Sequence, residues 1–515
     1  MDGLMMDRPL LVKGIAERAE AVFGEREVVA RVQEGVERST YGHVVERARR
    51  LAGALHELGV GPGDRVASFA WNSIRHLELY LAVPSMGAVL HTLNVRLRED
   101  DLRYIVEHAG DRIVLLDSSL AGVMPRFDGI EREILMPDGP GDRDGALDYE
   151  ELVAGADPAF EFPDFDERRA AAMCYTSGTT GRPKGVVYSH RSTVLHTLAA
   201  GLPDGMGIRS ADSVMPIVPM FHANAWGVPY IAAMVGARLV MPGPDLDPRA
   251  LADLIAAERV TWSAGVPTIW TGFLHLDPPP DLSSMREVTA GGSAVPDSLI
   301  RAFDERFDLP VVQGWGMTET SPLASVSQPP EDERTSDEAY DRRACQGRIQ
   351  PLCEFRIDEE AGGELQIRGP FIASSYYRDP SGDEKFSEDG WLRTGDVAEV
   401  RHGNLIKLVD RTKDLVKSGG EWISSVELEN AIMAHPDVLE AAVIAIPDER
   451  WSERPCACVV KRAGCALDAD AVRAHLADRV AKWWIPERVE FLDEVPKTSV
   501  GKFDKKVLRA RFAGG

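Results

Sequence analysis

Two hydrophobic periods alternate along roughly the first four hundred residues of the chain. In some segments apolar side chains recur every three or four positions, which predicts helices, and in others they fill short runs bounded by turn residues, which predicts strands. The predicted helices cover residues 41–58, 74–86 and 250–257, and the predicted strands cover 65–69, 113–117 and 260–264. Helices that alternate with strands indicate parallel strands joined by crossover helices. We therefore expect an α/β body built from more than one such unit.

The pattern changes near residue 410. A dense charged run at 410–414 lies where a linker would be expected. About a hundred residues of smaller α+β pattern follow it, in which Ser424 and Glu427 have the spacing of a capping box before a helix. At 515 residues the chain also exceeds what one hydrophobic core usually organises. We predict a large domain at 1–409, a hinge at 410–414 and a small domain at 415–515.

Composition narrows the classes of partner. The chain has 58 Lys and Arg residues against 82 Asp and Glu residues, a net charge of −24, which argues against general affinity for nucleic acid or an anionic membrane. The six cysteines show neither a zinc spacing nor a secreted disulfide framework, so we expect reduced thiols. Because no apolar run approaches roughly 18 residues and the N-terminus lacks a signal-like pattern, we expect neither a membrane span nor export, and a cytoplasmic address.

A loop rich in small and hydroxyl residues stands out at 176–185, with the sequence TSGTTGRPKG. Open backbone N–H groups, hydroxyls and the point charge of Lys184 suit phosphate oxygens. A Walker loop carries its lysine into a helix, whereas here Pro183 precedes Lys184 and Gly185 follows it, and both residues disfavour a helix. We predict a phosphate-binding loop that moves, and not a rigid nest.

This loop resembles the signature of the acyl-adenylate-forming enzymes, which include acyl-CoA synthetases. Further motifs stand in the order of that family: GWGMTE at 314–319, WLRTGD at 391–396, DRTKD at 410–414 and PKTSVGK at 496–502. The resemblance is strongest to the medium- and long-chain fatty acyl-CoA ligases. It implies a large N-terminal domain with two parallel-rich sheets and a small β-barrel, and a small mobile α+β C-terminal domain.

The resemblance assigns roles in nucleotide binding and catalysis. ATP would be bound by Thr176, Ser177, Gly178, Thr179, Thr180, Gly181, Lys184, Gly291, Gly292, Ser293, Gly314, Trp315, Gly316, Thr318, Asp396, Arg411 and Lys502. Trp315 would stack on adenine, and Asp396 would accept hydrogen bonds from the ribose hydroxyls. Thr176 and Glu319 would hold Mg²⁺, for which a carboxylate is a suitable hard ligand. The implied catalytic residues are Lys502, Lys184, His222 and Glu319.

The segment PMFHANAW at 219–226 resembles the part of the family site that meets the acid. His222 would lie beside the substrate carboxylate. The implied acyl pocket consists of Trp226, Val228, Val266, Pro267, Thr268 and Gly291, which are apolar or small, and the segment has no Asp to bind an α-amino group. We expect a hydrophobic acid, with a medium- or long-chain fatty acid first and an aromatic or terpenoid acid as the alternative.

A second step would transfer the acyl group to CoA. The resemblance makes Lys413 the pivot of a domain rotation and places Lys417, Gly419, Gly420, Glu421 and Trp422 at the thioester-forming site. The expected small molecules are therefore ATP, Mg²⁺, CoA and a carboxylic acid, and a homodimer is expected. Three alternatives stay open: delivery of acyl-AMP to a carrier protein or separate transferase, a luciferase-like oxidation, and a non-catalytic nucleotide-binding regulator.

Overall fold

The computed structural model describes residues 1, 3–33, 35–176, 182–328, 334–419, 421–462, 464–498 and 502–513. Its α-helices are α1 (Val12–Phe23), α2 (Tyr41–Glu57), α3 (Ile74–Ser85), α4 (Glu99–Ala109), α5 (Tyr149–Gly155), α6 (His190–Gly201), α7 (Val228–Val235), α8 (Pro248–Glu258), α9 (Pro267–Leu274), α10 (Asp297–Phe307), α11 (Asp337–Arg343), α12 (Ser425–Met433), α13 (Ala469–Leu476) and α14 (Lys505–Phe512).

The strands are β1 (Glu27–Arg31), β2 (Val36–Thr40), β3 (Arg65–Phe69), β4 (Val89–Thr92), β5 (Ile113–Asp117), β6 (Arg132–Met136), β7 (Leu147–Asp148), β8 (Ala170–Tyr175), β9 (Gly185–Ser189), β10 (Ser213–Pro216), β11 (Arg238–Met241), β12 (Trp262–Gly265), β13 (Glu287–Gly291), β14 (Val311–Gly316), β15 (Leu323–Ser327), β16 (Arg348–Ile349), β17 (Glu354–Asp358), β18 (Glu364–Arg368), β19 (Leu392–Arg401), β20 (Leu405–Arg411), β21 (Val416–Ser418), β22 (Glu421–Ile423), β23 (Val438–Asp448), β24 (Ser452–Lys461) and β25 (Arg488–Leu492).

Two large sheets form the body of the protein. One has nine strands in the order β16-β15-β14-β13-β12-β10-β11-β1-β2, and the other has seven in the order β7-β6-β5-β3-β4-β8-β9. The central pairs of both sheets are parallel, whereas the outer pairs β1–β2, β14–β15 and β8–β9 are antiparallel. The largest apolar cluster joins residues of both sheets with α1, α2, α3, α6 and α7. The prediction of an α/β body with crossover helices is confirmed.

The remaining sheets are smaller. Where the resemblance implied a small β-barrel, strands β17-β18-β19-β20 form a four-stranded antiparallel sheet. Strands β21 to β25 form a five-stranded sheet near the C-terminus. Cys456 and Cys458 lie on one buried face of β24 as free thiols, in agreement with the expectation from their spacing. A large α/β part and a smaller C-terminal α+β part are therefore present, as predicted.

Three local expectations need correction. Strand β12 begins at Trp262 and not at Val260, because the backbone N–H of Val260 bonds the Ile255 carbonyl oxygen and closes the end of α8. The charged run at 410–414 is not wholly a linker, since its first two residues continue β20. The capping box before α12 is half formed: the Ser424 hydroxyl accepts from the N–H of Glu427, but the Glu427 carboxylate pairs with Lys407.

Within the ranges that the structure describes, no helix combines the length and the apolar character that crossing a bilayer requires.

Candidate active site

Two glycines at the carboxyl ends of parallel strands open the candidate site. Gly291 ends β13 and lies opposite Gly314 of β14. A methyl group on Gly291 would lie 2.6 Å from the carbonyl oxygen of Gly314 and 3.2 Å from Cη2 of Trp226. Such a side chain cannot be accommodated next to the backbone, so glycine keeps the strand ends accessible to a flat ligand. In sheets with parallel strands, ligands bind outside these carboxyl ends.

Lys502 reaches the same place from a distant part of the chain. A methyl group on Gly292 would lie 3.5 Å from Cγ1 of Val266, 3.6 Å from Cζ2 of Trp226 and 3.7 Å from Cε of Lys502. Gly292 has a φ of 83°, in the left-handed region that favours glycine. The structure therefore brings together the predicted adenine loop, two predicted acyl-pocket residues and the predicted catalytic lysine.

Opposing charges surround the ammonium group of Lys502. Its loop is closed by a 2.7 Å bond from the N–H of Thr498 to the Lys502 carbonyl oxygen. Partial burial and the nearby Arg411 guanidinium lower the pKa of Lys502 to about 8, against the opposite effect of the Asp396 and Glu319 carboxylates. The side chain is thus held close to groups that are assigned to ribose and metal binding.

This pKa predicts the pH dependence of the first chemical step. Lys502 stabilises developing negative charge only when it is protonated, and its protonated fraction falls as pH rises through about 8. We expect kcat/KM for acid-dependent pyrophosphate release to be level below that pH and to decline above it. Lys502→Arg provides the control, because a guanidinium stays charged and moves the decline to higher pH. A wild-type profile that stays level to about pH 10 would contradict the assignment.

Asp396 is held by two donors. The indole N–H of Trp315 donates to Oδ2 at 2.9 Å, and Nε of Arg411 lies 3.1 Å from Oδ1. The Asp396 carboxylate in turn raises the pKa of Arg411. Because an ionised carboxylate has about four acceptor sites, Asp396 retains acceptor capacity beyond these two contacts. Asp396 pairs with Arg411 across neighbouring strands, β19 and β20.

The two ends of the phosphate loop are fastened to each other. The N–H of Thr176 donates to the Lys184 carbonyl oxygen at 2.9 Å, and the N–H of Lys184 donates to Thr176 Oγ1 at 3.1 Å. Nζ of Lys184 lies 3.2 Å from Oδ2 of Asp379 and 4.8 Å from the ring centre of Tyr376. The five residues from Ser177 to Gly181 that sequence assigned to phosphate binding lie outside the described residues. The predicted mobility of the loop therefore stays a prediction.

Glu319 lies buried in a short 3-10 turn, Thr318–Thr320. The Tyr376 hydroxyl donates to Oε1 at 2.5 Å, and the Tyr188 hydroxyl donates to the Thr318 carbonyl oxygen at 2.6 Å. In the described part of the chain, Oε2 has no hydrogen-bond donor, and no three metal-ligating side chains cluster. One hard carboxylate beside a phosphate loop fits Mg²⁺, which usually takes one or two carboxylates and completes its shell with phosphate oxygens and water.

His222 is neutral and faces a cavity next to the phosphate loop. Burial, followed by the charges of Lys502 and Arg96, lowers its pKa to about 3. The cavity is also lined by Thr176 and Phe221. A neutral imidazole can donate a hydrogen bond to a carboxylate without adding charge to the site. The position of His222 beside the substrate carboxylate stays a prediction.

An unusual backbone segment places Trp226. The four residues from Ala223 to Trp226 have φ values of 41°, 54°, 48° and 58°, so they form a left-handed turn of non-glycine residues. Such conformations are strained and are held by their surroundings. Val228 follows at the start of α7 and is fully buried in the core, whereas Pro267 and Thr268 open α9 beyond Val266. Ser293 is exposed.

The residues assigned to thioester formation form a separate hairpin. Lys417 in β21 and Trp422 in β22 face each other, with Nζ 5.4 Å from the ring centre, and Trp422 is half exposed. The N–H of Gly419 donates to the Trp451 carbonyl oxygen at 2.8 Å. Gly420 lies outside the described residues, and Glu421 and the proposed pivot Lys413 are exposed. Among the residues described, no hairpin side chain bonds to the group around Lys502.

Sequence reasoning missed three residues of this site. Tyr376 supports Glu319, Asp379 pairs with Lys184, and Arg96 lies 5.8 Å from the ring centres of both Trp71 and Phe221. The signal for the first two was the run YYRD at 376–379, which stands between two recognised motifs. Arg96 lies in the segment VLHTLNVRL at 89–97, to which the sequence analysis assigned no role.

Known proteins match the whole of this arrangement. The family model described as AMP-binding enzyme matches residues 16–377, and that described as AMP-binding enzyme C-terminal domain matches residues 427–502. The long-chain-fatty-acid–CoA ligase of Thermus thermophilus is 45% identical over 529 residues, which cover 99% of this chain and 96% of the relative. The medium-chain-fatty-acid–CoA ligase of Ectopseudomonas oleovorans is 41% identical over 535 residues, with coverages of 99% and 98%.

A solved structure agrees with the sequence matches. The ATP-bound crystal structure of MatB from Rhodopseudomonas palustris is 28% identical and has a TM-score of 0.84, with 98% of this chain and 99% of that chain covered. The membership that the motifs predicted is confirmed. The chain belongs to the AMP-binding enzyme family, and within it to the AMP-forming acyl-CoA synthetases.

Proposed function

We propose that this protein activates a hydrophobic carboxylic acid with ATP and transfers the acyl group to CoA. The observation that carries the proposal is the position of Lys502, which lies beside Gly292 at the strand ends, close enough to the Asp396 and Glu319 carboxylates for their charges to raise its pKa against the effect of burial. Two relatives that align over nearly the whole chain are named for long-chain and medium-chain fatty acids. A fatty acid of medium or long chain is therefore the proposed substrate class.

In the first step a carboxylate oxygen forms a bond to the α-phosphorus of ATP, and the bond to the bridging oxygen of pyrophosphate breaks. The products are acyl-AMP, a mixed anhydride, and pyrophosphate. Lys502 stabilises charge where the new bond forms, Lys184 faces the leaving phosphates and His222 orients the acid. Catalysis then rests on positioning and charge neutralisation, without a protein nucleophile.

The proposed contacts to ATP are those that the motifs predicted. Gly291, Gly292, Gly314 and Gly316 leave room for the base, Trp315 borders it, and Asp396 with Arg411 meets the ribose. Glu319 and Thr176 would hold Mg²⁺. When bound, the ion neutralises phosphate charge. In support, Oε1 of Glu319 is fixed by Tyr376 and the Thr176 hydroxyl is oriented by the N–H of Lys184.

The second step needs a different arrangement of the C-terminal part. The CoA sulfur bonds to the acyl carbon, the thiol proton is lost and AMP leaves. Since Lys502 occupies the site in the present arrangement, we propose that residues 415–515 rotate about Lys413 in the segment 410–414 against residues 1–409. The rotation brings the hairpin of Lys417, Gly419, Gly420, Glu421 and Trp422 to the acyl-AMP.

A panel of carboxylic acids tests the proposal. The full chain is incubated with ATP and Mg²⁺, with and without CoA, and acyl-AMP and acyl-CoA are identified by mass. We expect acyl-AMP without CoA, acyl-CoA with it, and loss of both when EDTA removes Mg²⁺. Acyl-AMP that CoA leaves unchanged would favour the second candidate, delivery to a carrier protein or transferase.

A homodimer and a cytoplasmic address belong to the proposal, the latter supported by free thiols at all six cysteines.

A further inference from the structure

A second cavity lies beside the reacting groups. It is enclosed by β9, α6, the left-handed turn and α7, and its lining includes Tyr188, Thr193, His196, Asn224, Tyr230 and Ser321. Most of these side chains are polar, which is unexpected for a pocket that would receive a saturated hydrocarbon chain. This lining is suited to bind a polar atom of an acyl group.

The position of this cavity connects it with the catalytic groups. Tyr188 bonds the Thr318 carbonyl oxygen, and Ser321 directly follows the turn that carries Thr318 and Glu319. Trp226, whose ring lies against Gly291, is flanked in sequence by cavity-lining residues. The cavity therefore adjoins the turn that carries Trp226, a residue of the expected acyl pocket.

The hydroxyl groups of the cavity are already used within the protein. Thr193 donates to the Ser189 carbonyl oxygen at 2.9 Å, and Ser321 donates to that of Phe371 at 2.6 Å. Because each of these hydroxyls donates its proton to a backbone carbonyl oxygen, neither has a proton left to donate to a ligand. Hydrogen-bond donors for a ligand must therefore come from other side chains.

His196 presents one such donor. The backbone N–H of Leu323 donates to Nε2 at 3.1 Å, so Nε2 carries a lone pair and the neutral imidazole has its proton on Nδ1. Burial lowers the pKa of His196 to about 4, which keeps the ring neutral. A methyl group on Gly227 would lie 3.1 Å from Nδ1, so glycine leaves this edge open. Among the described residues Nδ1 has no acceptor, although His196 is only 2% exposed.

Asn224 presents the second donor. Its Oδ1 is within 3.4 Å of the Tyr80 hydroxyl and of Cys174 Sγ, which both serve as donors to it. The amide group Nδ2 has no acceptor within the described part of the chain, and the side chain is 4% exposed. Two nearly buried N–H groups on one small cavity are costly unless an acceptor joins them.

We propose that this cavity is an acyl subsite for a chain that carries an oxygen acceptor, an ether, hydroxyl or keto group, bound by the N–H groups of His196 and Asn224. The inference rests on the proposed acid activation and adds the class of acid. A plain alkyl chain would leave both donors unpaired, whereas an oxygen at the right position along the chain satisfies them. A site built to hydrogen-bond its substrate discriminates strongly against the analogue that lacks the polar atom.

Matched acids test the inference. Octanoate is compared with its oxa analogues, in which an ether oxygen replaces the methylene at each position from 4 to 7. The full-length protein is assayed by acid-dependent ATP–pyrophosphate exchange. We expect at least one ether acid to have a kcat/KM on the order of tenfold above that of octanoate. The ratio is measured within each variant, so a general loss of activity cancels.

His196→Phe and Asn224→Leu should each reduce the ratio to about one, and His196→Gln, which keeps an N–H donor, should retain part of the preference. If octanoate exceeds every ether acid in the wild type, the cavity holds water only and the inference is overturned. A preference that both substitutions leave unchanged overturns it as well. If no acid in the panel supports exchange, the proposed acid activation itself fails, which is a distinct result.

Discussion

Lys502→Ala is expected to lower the rate of acyl-AMP formation by about a hundred- to a thousandfold, the usual loss when one preorganised charge-stabilising group is removed. The structure places the end of the Lys502 side chain beside Gly292, where the adenine loop and the acyl pocket meet. Alanine leaves the strand ends, Asp396 and Arg411 in place, so ATP binding should weaken less than turnover. The measurement is acid-dependent ATP–pyrophosphate exchange at saturating ATP.

Two comparisons make this result specific. The variant should still form acyl-CoA from synthetic acyl-AMP and CoA at close to the wild-type rate, since the proposed rotation removes Lys502 from the site before that step. Lys506→Ala is the matched control, because Lys506 is exposed on α14 four positions away and should leave both half-reactions unchanged. Equal losses in the two half-reactions would assign Lys502 a structural role and remove it from the catalytic group.

The parts of the fold that could be predicted were those governed by local pattern. Strands 65–69 and 113–117 were predicted with their observed bounds, because turn residues and a buried apolar run define both ends. The start of β12 was predicted two residues too early, because the N–H of Val260 bonds the Ile255 carbonyl oxygen at the end of α8. Local propensity does not show which N–H group will bond a carbonyl oxygen at the end of a helix.

In the candidate site, too, some residues could be assigned from sequence motifs and others could not. Motif order assigned Lys502, Asp396 and Glu319, which the structure brings close together although the sequence separates them widely. The supporting partners Tyr376 and Asp379 could not be assigned, because their roles follow from the packing of a loop against the phosphate-binding segment. The left-handed turn from Ala223 to Trp226 could not be predicted either, because asparagine favours positive φ at single positions, whereas the two alanines and the tryptophan rarely adopt it.

The largest effect on stability is expected at Lys505, three residues beyond Lys502. Its Nζ lies 2.6 Å from Oε1 of Glu429 and 2.6 Å from the Ser425 hydroxyl. Burial alone would lower the pKa of Lys505, but Glu429, Asp410 and Asp414 outweigh it and raise that pKa. The Lys505 ammonium group therefore compensates Glu429 of α12 and Asp410 of β20, while Asp414 is also paired with Arg509 of α14.

Lys505→Met keeps most of the side-chain volume but leaves Glu429 and Asp410 in a poorly solvated site without their cation. Breaking a buried ion pair by removing one partner costs about 3–5 kcal/mol, and we expect the C-terminal part to lose stability of that order. Amide hydrogen exchange in α12 and β23 provides the measurement, with Lys506→Met as the control on the exposed face of the same helix.

The pH dependence of this loss distinguishes an electrostatic cause from lost packing. Burial already raises the pKa values of Glu429 and Asp410 while Lys505 opposes the rise, so the variant should raise both further. A carboxyl group whose pKa is higher in the folded state than in the unfolded state favours folding at low pH and disfavours it above the folded pKa. The deficit of Lys505→Met relative to the wild type should therefore shrink as pH falls through the raised carboxyl pKa values. A deficit that is constant with pH would mean that the methylenes of Lys505, and not its charge, hold α14 against α12.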